Sequence, residues 1–584
     1  MIAQPPSPIK RWITKPVPDA HEHREAIASL TTSLGVSPFL AALLVQRGVS
    51  SYDEARSFFR PEITALHDPF LMQDMDRAID RLTRAMRPEQ PEKILIYGDY
   101  DVDGTTSVAL VYGFLQKYHE QIDYYIPDRY KEGYGISTQG VAWAAENGFT
   151  LIIALDCGIK SIDRVAEAAA LGVDFIICDH HRPGAELPAA AAVLDPKRDD
   201  CNYPYSELSG CGVGFKLLHG YCLRNGIPLE QLYPCLDLVA VSIASDIVPV
   251  TGENRVMAYF GLKVLNSTPR TGLKALIKIA GFKSELDLTN VVFGLGPRIN
   301  AAGRIKHAKA AVQLLLADAD EEADEFAMAI NKHNTDRRQF DSSMTEQALD
   351  MIRCNETLTN AKSTVLFDAT WHKGVIGIVA SRCIEHFHRP TIILTRSNDK
   401  AAGSARSVPG FDVYEAIEEC ADLLEQFGGH TFAAGMTMPE ANIDAFRQRF
   451  EEVVSRTIRE EDLTPLVDID LPLDFSEIDA RICRILKQMG PFGPHNMQPV
   501  FMTEDVYLAS EPVIMKEKHL KIQVWQHRTG HTHTAVGFGM GHLAKQLKGR
   551  IPFSICYNLE QNHYNGSTTT QLMLKDIKLS TPGQ

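Results

Sequence analysis

The chain has 584 residues, of which 45% are hydrophobic and 23% charged, and its net charge is −15. These values fit several globular domains and exclude collagen-like, disordered and small disulfide-stapled classes. No apolar run reaches the roughly 18 residues of a membrane helix. A duplex-coating protein is usually basic. A nucleic-acid enzyme of this charge would need a narrow, locally positive groove or bound metal.

The opening stretch, residues 1–16, lacks the apolar core of a signal peptide, so a cytoplasmic location is expected. None of the 11 cysteines precedes Cys157, and none forms a C-x-x-C pair. They read as reduced thiols, mostly in cores, not as a zinc site.

Residues 1–75 read as an N-terminal helical segment, with helical patterns at 20–30 and 38–47. A helix is predicted over 76–86, stopped by the Pro-rich stretch 87–91. A short buried strand follows at 93–97, then a helix at 105–118. Further strands are predicted at 150–155, 173–178 and 192–194, with a helix at 162–171 between two of them. This alternation argues for a parallel, doubly wound sheet over 76–265. Residues 266–350 read as a helical connector, in which 332–341 continues in helical register. A second α/β unit is predicted over 351–462, with strands at 364–367 and 391–394 and helices at 377–387, 413–424 and 443–456. Short β runs at 499–503, 520–525, 534–538, 553–557 and 569–574 suggest a small barrel in 463–584. The fold class expected is therefore α/β, with a C-terminal β-barrel.

The chemistry concentrates in Gly98-Asp99-Tyr100-Asp101-Val102-Asp103-Gly104, directly after the first strand. Ligands bind at the carboxyl ends of strands in open parallel sheets. Three acids at alternate positions repel one another unless a divalent cation offsets their charge. A solvated turn is the plain alternative. An EF-hand fails, because loop position 12 is Leu110. The second strand ends at Asp156 and the third at Asp179-His180-His181, while Asp246 follows the apolar run 238–244. Four such placements at one edge point to a metal site. Carboxylates with imidazole suit two divalent ions, Mn²⁺ or Mg²⁺, as used for in-line phosphoryl displacement. Asp156 is the natural bridge between them, and His181 a candidate phosphate contact.

These residues resemble the DHH phosphoesterase superfamily and, within it, the RecJ single-stranded-DNA exonucleases. The segments that carry the resemblance are 98–104, 154–158, 178–181, 244–249, 295–304, 371–382, 403–410, 427–435, 491–502 and 519–524. The resemblance implies a DHH domain, a long connecting helix, a smaller DHHA1 domain and an OB-fold, with the active site in the cleft between the first two domains. It places Asp99, Asp101, Asp103, Asp156, His180 and Asp246 on metal-site positions. It gives Asp179 a ligand-orienting role. Related pyrophosphatases carry a histidine ligand where this chain has Tyr97, so which acid binds which ion is left open.

Gly403-Ser404-Ala405-Arg406-Ser407 reads as a small-residue loop able to cradle a phosphate, with Ser404 and Arg406 in it. With the family in view, Arg406 and His430 are expected phosphate contacts. Arg298, Asn300 and Arg304 are expected beside them, unless they only tie the connector to the sheet domain. Arg129 is expected at the entry. Tyr134 either stacks on a base or packs in a core. Of the barrel aromatics Phe492, Tyr507, Trp525, Phe538 and Tyr557, most are expected in the core. His531 and His533 are expected at the surface.

The resemblance implies a 5′-to-3′ exonuclease that degrades single-stranded DNA to 5′-mononucleotides in recombination and repair. It further implies a single-strand-binding protein and a helicase as partners, and a monomeric state. The alternatives are a phosphodiesterase for short oligonucleotides or cyclic dinucleotides, and a non-catalytic scaffold.

Overall fold

The computed structural model describes residues 10–16, 21–129, 131–305, 307–548, 551–564 and 567–579. Residues 1–9, part of the opening stretch read above, lie outside them. Among the described residues, no helix is long and apolar enough to cross a membrane.

Five parallel strands form the first sheet, in the spatial order Ile122–Tyr125, Ile94–Gly98, Leu151–Leu155, Asp174–Cys178, Ala192–Leu194. Both faces are covered. Ile94, Ile96, Ile153 and Ile176 enter one apolar core, while Leu95, Ile152, Ala154 and Ile177 enter another. This explains why these strands read as continuous apolar runs rather than alternating ones. The chain order of the sheet is 2-1-3-4-5, so the crevice lies between the ends of Ile94–Gly98 and Leu151–Leu155, where the strand order reverses. Asp99 and Asp156 follow those two strands.

The connector contains one helix of 34 residues, Asp320–Arg353. At 1.5 Å per residue it spans about 50 Å. Its first half buries Ala323, Ala327 and Ile330 in the core of the first domain. Its second half buries Met344, Ala348 and Ile352 against the next domain. One rigid element thus sets the spacing of both walls of the cleft.

The second sheet is mixed, in the order Gln426–His430, Ala433–Met438, Lys400–Arg406, Thr391–Ser397, Thr364–Phe367. Three of these strands differ from the sequence expectation. Lys400–Arg406 lies between two antiparallel neighbours, with Gly403 opposite both Leu394 and Met436. The segment 403–407 is therefore not a phosphate-cradling loop. Its strand residues are committed to the sheet, and only side chains remain to meet a ligand. His430 ends the edge strand Gln426–His430, which pairs with Ala433–Met438.

The C-terminal strands Phe501–Leu508, Phe553–Tyr564, Ser567–Leu579, Thr532–Gly537 and His519–Gln526 pair around a closed ring, the first with the last. Tyr557 and Phe501 fill its core. Tyr507 and Trp525 stack outside it at 5.3 Å, and Phe538 is exposed. The N-terminal helices His21–Leu34 and Pro38–Val45 share the barrel's core: Leu30, Leu40 and Leu43 join Phe475, Ile522 and Phe553. Strand Arg11–Thr14 also pairs with Leu466–Ile469. The beginning and the end of the chain thus form one packed body.

Candidate metal centre and cationic cleft

The acidic turn is shaped by the helix that it opens. Asp101 caps helix Val102–Leu115, accepting from the Gly104 amide at 3.0 Å. A cap of this kind satisfies one of the unpaired amides of the first turn. Asp103, just inside that helix, is buried. It accepts from the Gly210 and Cys211 amides at 2.7 and 2.8 Å and from Ser242 Oγ at 2.7 Å. It thereby joins the first helix to the start of helix Gly210–Asn225. Asp156 adopts φ 60°, the left-handed region that non-glycine residues seldom occupy. Gly210 makes room for it, since a Cβ there would lie 2.6 Å from the Asp156 Cβ. Strain of this order persists where the surroundings over-determine it.

His180 Nε2 lies 3.2 Å from Asp156 Oδ1, 3.5 Å from Asp246 Oδ2 and 3.7 Å from Asp103 Oδ2. Two groups of donor atoms come together here, Asp156–His180–His181 and Asp103–His180–Asp246. Asp99 and Asp101 stand outside these groups but close enough for their charge to act on Asp156. Asp246 ends helix Leu236–Ser245, so it reaches the site from a helix and not from a strand.

Asp156 is held well above the usual carboxylate range by burial and then by Asp103, Asp101 and Asp246. Burial and Asp101 raise Asp99, and burial and Asp103 raise Asp101. Burial, Asp103 and Asp101 push Asp246 up to about 8. Asp179 differs. Burial would raise it, but the His181 ring and charge, together with backbone amides, hold it at about 2. It accepts from the Ile159, His180 and His181 amides and from His181 Nδ1 at 2.7 Å. His181 is correspondingly raised to about 9 against the opposing effect of burial.

The buried atoms Asp99 Oδ1, Asp156 Oδ1, His180 Nδ1 and His180 Nε2 have no hydrogen-bond partner. Orphaned buried polar atoms are rare and costly. The 3.2 Å pair of Asp156 and His180 is close but not aligned as a hydrogen bond. Two donors at about 2.1 Å from one ion, at right angles, sit about 3 Å apart. The donor set therefore fits divalent cations. Tyr97 takes no part. Its buried hydroxyl donates to the Gly135 carbonyl and accepts from the Ser137 amide, both at 3.1 Å, on the other face of the sheet.

Beside the cluster is a cleft of about 440 Å³ lined by Arg129, Arg304, Lys373 and Arg406, with no acid in the lining; Tyr100, between Asp99 and Asp101, is its one link to the acidic turn. Arg129 stacks on the Tyr100 ring at 4.9 Å. Arg406 donates to Ser404 Oγ at 2.9 Å and packs against Gly377, where a Cβ would lie 2.7 Å from its Nη2. Burial, then the nearby Arg129 charge, lower the Arg406 pKa, the mark of cations held together without an anion. Arg304 donates to the Gly374 carbonyl at 3.0 Å, bridging the two domains. His430 is exposed and lies within the electrostatic reach of Arg406 and His181. Tyr134 is 57% exposed, with its hydroxyl 3.3 Å from His181 Nε2. It stands at the rim of the cluster and not in a core.

Arg298 is buried, donating to the Gly294 carbonyl at 2.6 Å and to Asn331 Oδ1 at 3.0 Å. It braces the short helix Gly296–Ile305 against the long helix Asp320–Arg353. Asn300 lies on that same helix, outside the cleft lining.

Sequence reasoning missed Lys373 and Asp195. Asp195 follows the strand Ala192–Leu194. It is fully buried with Oδ2 unpartnered, and it is raised to about 7 by burial and then Asp179. Its signal was the one used for Asp156, an acid directly after an apolar strand.

Three family models match: the DHH family N-terminal domain over residues 93–243, the DHHA1 domain over 360–456 and the RecJ OB domain over 469–576. The chain is 39% identical over 561 residues to the single-stranded-DNA-specific exonuclease RecJ of Bacillus subtilis (strain 168), covering 95% of this chain and 70% of that protein. It is 32% identical to the RecJ of Escherichia coli (strain K12), covering 92% and 96%. The crystal structure of RecJ from Thermus thermophilus in complex with Mn²⁺ superposes with a TM-score of 0.82 at 27% identity, covering 97% of this chain and 79% of that one. A RecJ structure bound to manganese matches at 31% identity with a TM-score of 0.60, covering 68% and 98%. The chain belongs to the RecJ family of single-stranded-DNA-specific exonucleases.

Proposed function

We propose that the protein is a metal-dependent exonuclease that degrades single-stranded DNA from the 5′ end to 5′-mononucleotides. The observation that carries this reading is the acid–imidazole cluster, with its orphaned donors, next to a cleft that Tyr100 joins to the acidic turn and that is lined by four cations and no acid. Two divalent ions, Mn²⁺ or Mg²⁺, would be held by Asp156, His180, Asp103 and Asp246, with Asp99 and Asp101 beside them. Such ions supply Lewis-acid stabilisation of the reacting phosphate and an acidified water. Asp179 orients His181, whose cationic ring presents Nε2 toward the scissile phosphate. Arg406, Arg129, Arg304 and Ser404 hold the terminal phosphate, with His430 at the edge. Guanidinium pairs suit such a group because they offer several N–H donors in fixed planes. Tyr134 offers a ring to the first base. Capture of the terminal phosphate in the cation-lined cleft beyond the cleavage point gives the 5′ polarity. In this reading the catalytic work falls to 76–265 and 351–462, joined through 266–350, while 463–584 guides the strand. The family resemblance adds a cytoplasmic monomer acting in recombination and repair with a single-strand-binding protein and a helicase.

The alternative is hydrolysis of short oligonucleotides or cyclic dinucleotides by the same cluster. A comparison of a dinucleotide with a long single strand in Mn²⁺ separates the two. The reading expects the long strand to be the better substrate by kcat/KM. Intact long strands beside a cleaved dinucleotide would overturn it.

A further inference from the structure

A second, larger cavity of about 1210 Å³ lies where three parts of the chain meet. One wall comes from the N-terminal residues between Leu34 and Arg60. Another is the far half of helix Gly252–Ser267. The third is helix Ala480–Gln488 with the Gly490-Pro491 turn after it. Arg255 locks these parts together. It is buried, its guanidinium lies 3.9 Å over the Phe58 ring, and it donates to the carbonyls of Phe58 and Gly490 at 2.9 Å and of Pro491 at 3.3 Å. The walls therefore belong to one rigid junction.

Arg56, Arg60, Lys263, Arg481 and Lys487 line this cavity, against a single acid, Glu285. The chain as a whole carries −15, so the positive excess is local. Among the described residues, no ion pair is formed by Arg60, Lys263 or Lys487. Arg56 meets Glu62 only at 3.6 Å, with both side chains largely exposed. Aromatic rings stand among the cations: Tyr52 is half-exposed, Phe59 lies in the wall, and Lys263 Nζ sits 4.3 Å over Tyr259. The metal-type cluster contributes no residue to this lining.

We propose that this cavity binds the trailing, 3′-ward stretch of the single strand whose 5′ end is being cleaved. The inference rests on the exonuclease reading and adds a second contact region to it. Cations without ion-pair partners, interleaved with the exposed Tyr52 ring and the half-buried Phe59 and Tyr259, match a strand that offers phosphates and base faces alternately. From Gly252, just beyond Asp246, to Lys263 the helix rises about 17 Å. A strand of about four nucleotides is too short to span both regions, whereas one of about 30 is long enough to reach the cavity as well.

The test uses the full chain with Lys263→Gln and Lys487→Gln together, and Tyr52→Ala separately. Binding of labelled strands of both lengths is measured in EDTA, so that cleavage plays no part. Neutralising two phosphate contacts should make the slope of log Kd against log salt shallower by about 1.4, at about 0.7 per contact, and weaken long-strand binding about tenfold at low salt. Short-strand binding should not move. Tyr52→Ala should weaken the long strand without changing the salt slope. Equal effects on both lengths, or none on the long strand, would overturn the proposal. So would a free mononucleotide held in the cavity that long strands fail to displace, marking an effector site. Loss of the exonuclease reading shows separately, as an absence of cleavage by the wild-type protein in Mn²⁺ with binding intact.

Discussion

Replacing Asp246 with asparagine should stabilise the metal-free protein while weakening its response to metal. In the folded chain this carboxyl is pushed from 3.8 to about 8 by burial, Asp103 and Asp101. Below about pH 4 it is protonated in both folded and unfolded states and contributes nothing. Between about 4 and 8 the unfolded chain releases a proton that the folded chain retains, so stability falls as pH rises, by about 1.4 kcal/mol per unit at most. Above about 8 the penalty levels off. From 3.8 to 7 this amounts to about 4 kcal/mol, reduced toward about 2 because 27% of the side chain is exposed to screening water. Asparagine has the shape of the protonated acid and no such penalty. In EDTA, urea melts of the Asp246→Asn variant should match wild type near pH 4 and exceed it by about 2–4 kcal/mol at pH 7. Added Mn²⁺ should stabilise wild type more than the variant, because the ion takes the place of the retained proton. A variant less stable than wild type in EDTA at pH 7, or one stabilised by Mn²⁺ to the same degree, would refute this reasoning.

Asp179→Asn should act in the opposite sense. Its carboxylate, held at about 2, contributes stability that is present above its unfolded pKa near 4 and lost as pH falls through 2. The variant should lose about 2 kcal/mol at neutral pH, and the His181 ring should titrate closer to 6.5 than to 9 by NMR. Gly210→Ala places a methyl 2.6 Å from the Asp156 Cβ, so kcat should drop at least about tenfold, as expected for misplaced reacting groups, with the far-UV CD spectrum unchanged. Arg406→Ala should raise KM for 5′-phosphorylated strands about 100-fold, the size of a lost charge-assisted contact. It should affect 5′-hydroxyl strands much less, and equal losses on both would remove Arg406 from the terminal-phosphate pocket.

The parallel sheet was legible because its strands are buried on both faces and rich in Ile, Leu and Val. Its acids were legible because they follow those strands directly. Three strands of the second sheet were not. Lys400–Arg406 is built mostly of Ala, Gly and Ser, which carry no β signal. Gly403 is needed there because a Cβ would lie 2.5 Å from the Leu394 side chain and 3.0 Å from that of Met436. The strand before Asp195, Ala192–Leu194, was legible, but Asp195-Pro196-Lys197 reads as a turn, and that hides the acid. Both roles stayed open for Arg298 because nothing in sequence distinguishes an arginine that meets a ligand from one that braces two helices. The packing of Leu30 and Leu40 into the barrel core joins residues distant in the chain, and no local pattern encodes such a contact.

The most direct measurement of the central claim is a time course on one single strand, labelled at its 5′ end in one sample and at its 3′ end in another, with Mn²⁺ and then with EDTA. The account predicts immediate release of a 5′-labelled mononucleotide, a shortening ladder from the 3′ label, and no reaction in EDTA. Release of the 3′ label first, or cleavage that persists in EDTA, would contradict it.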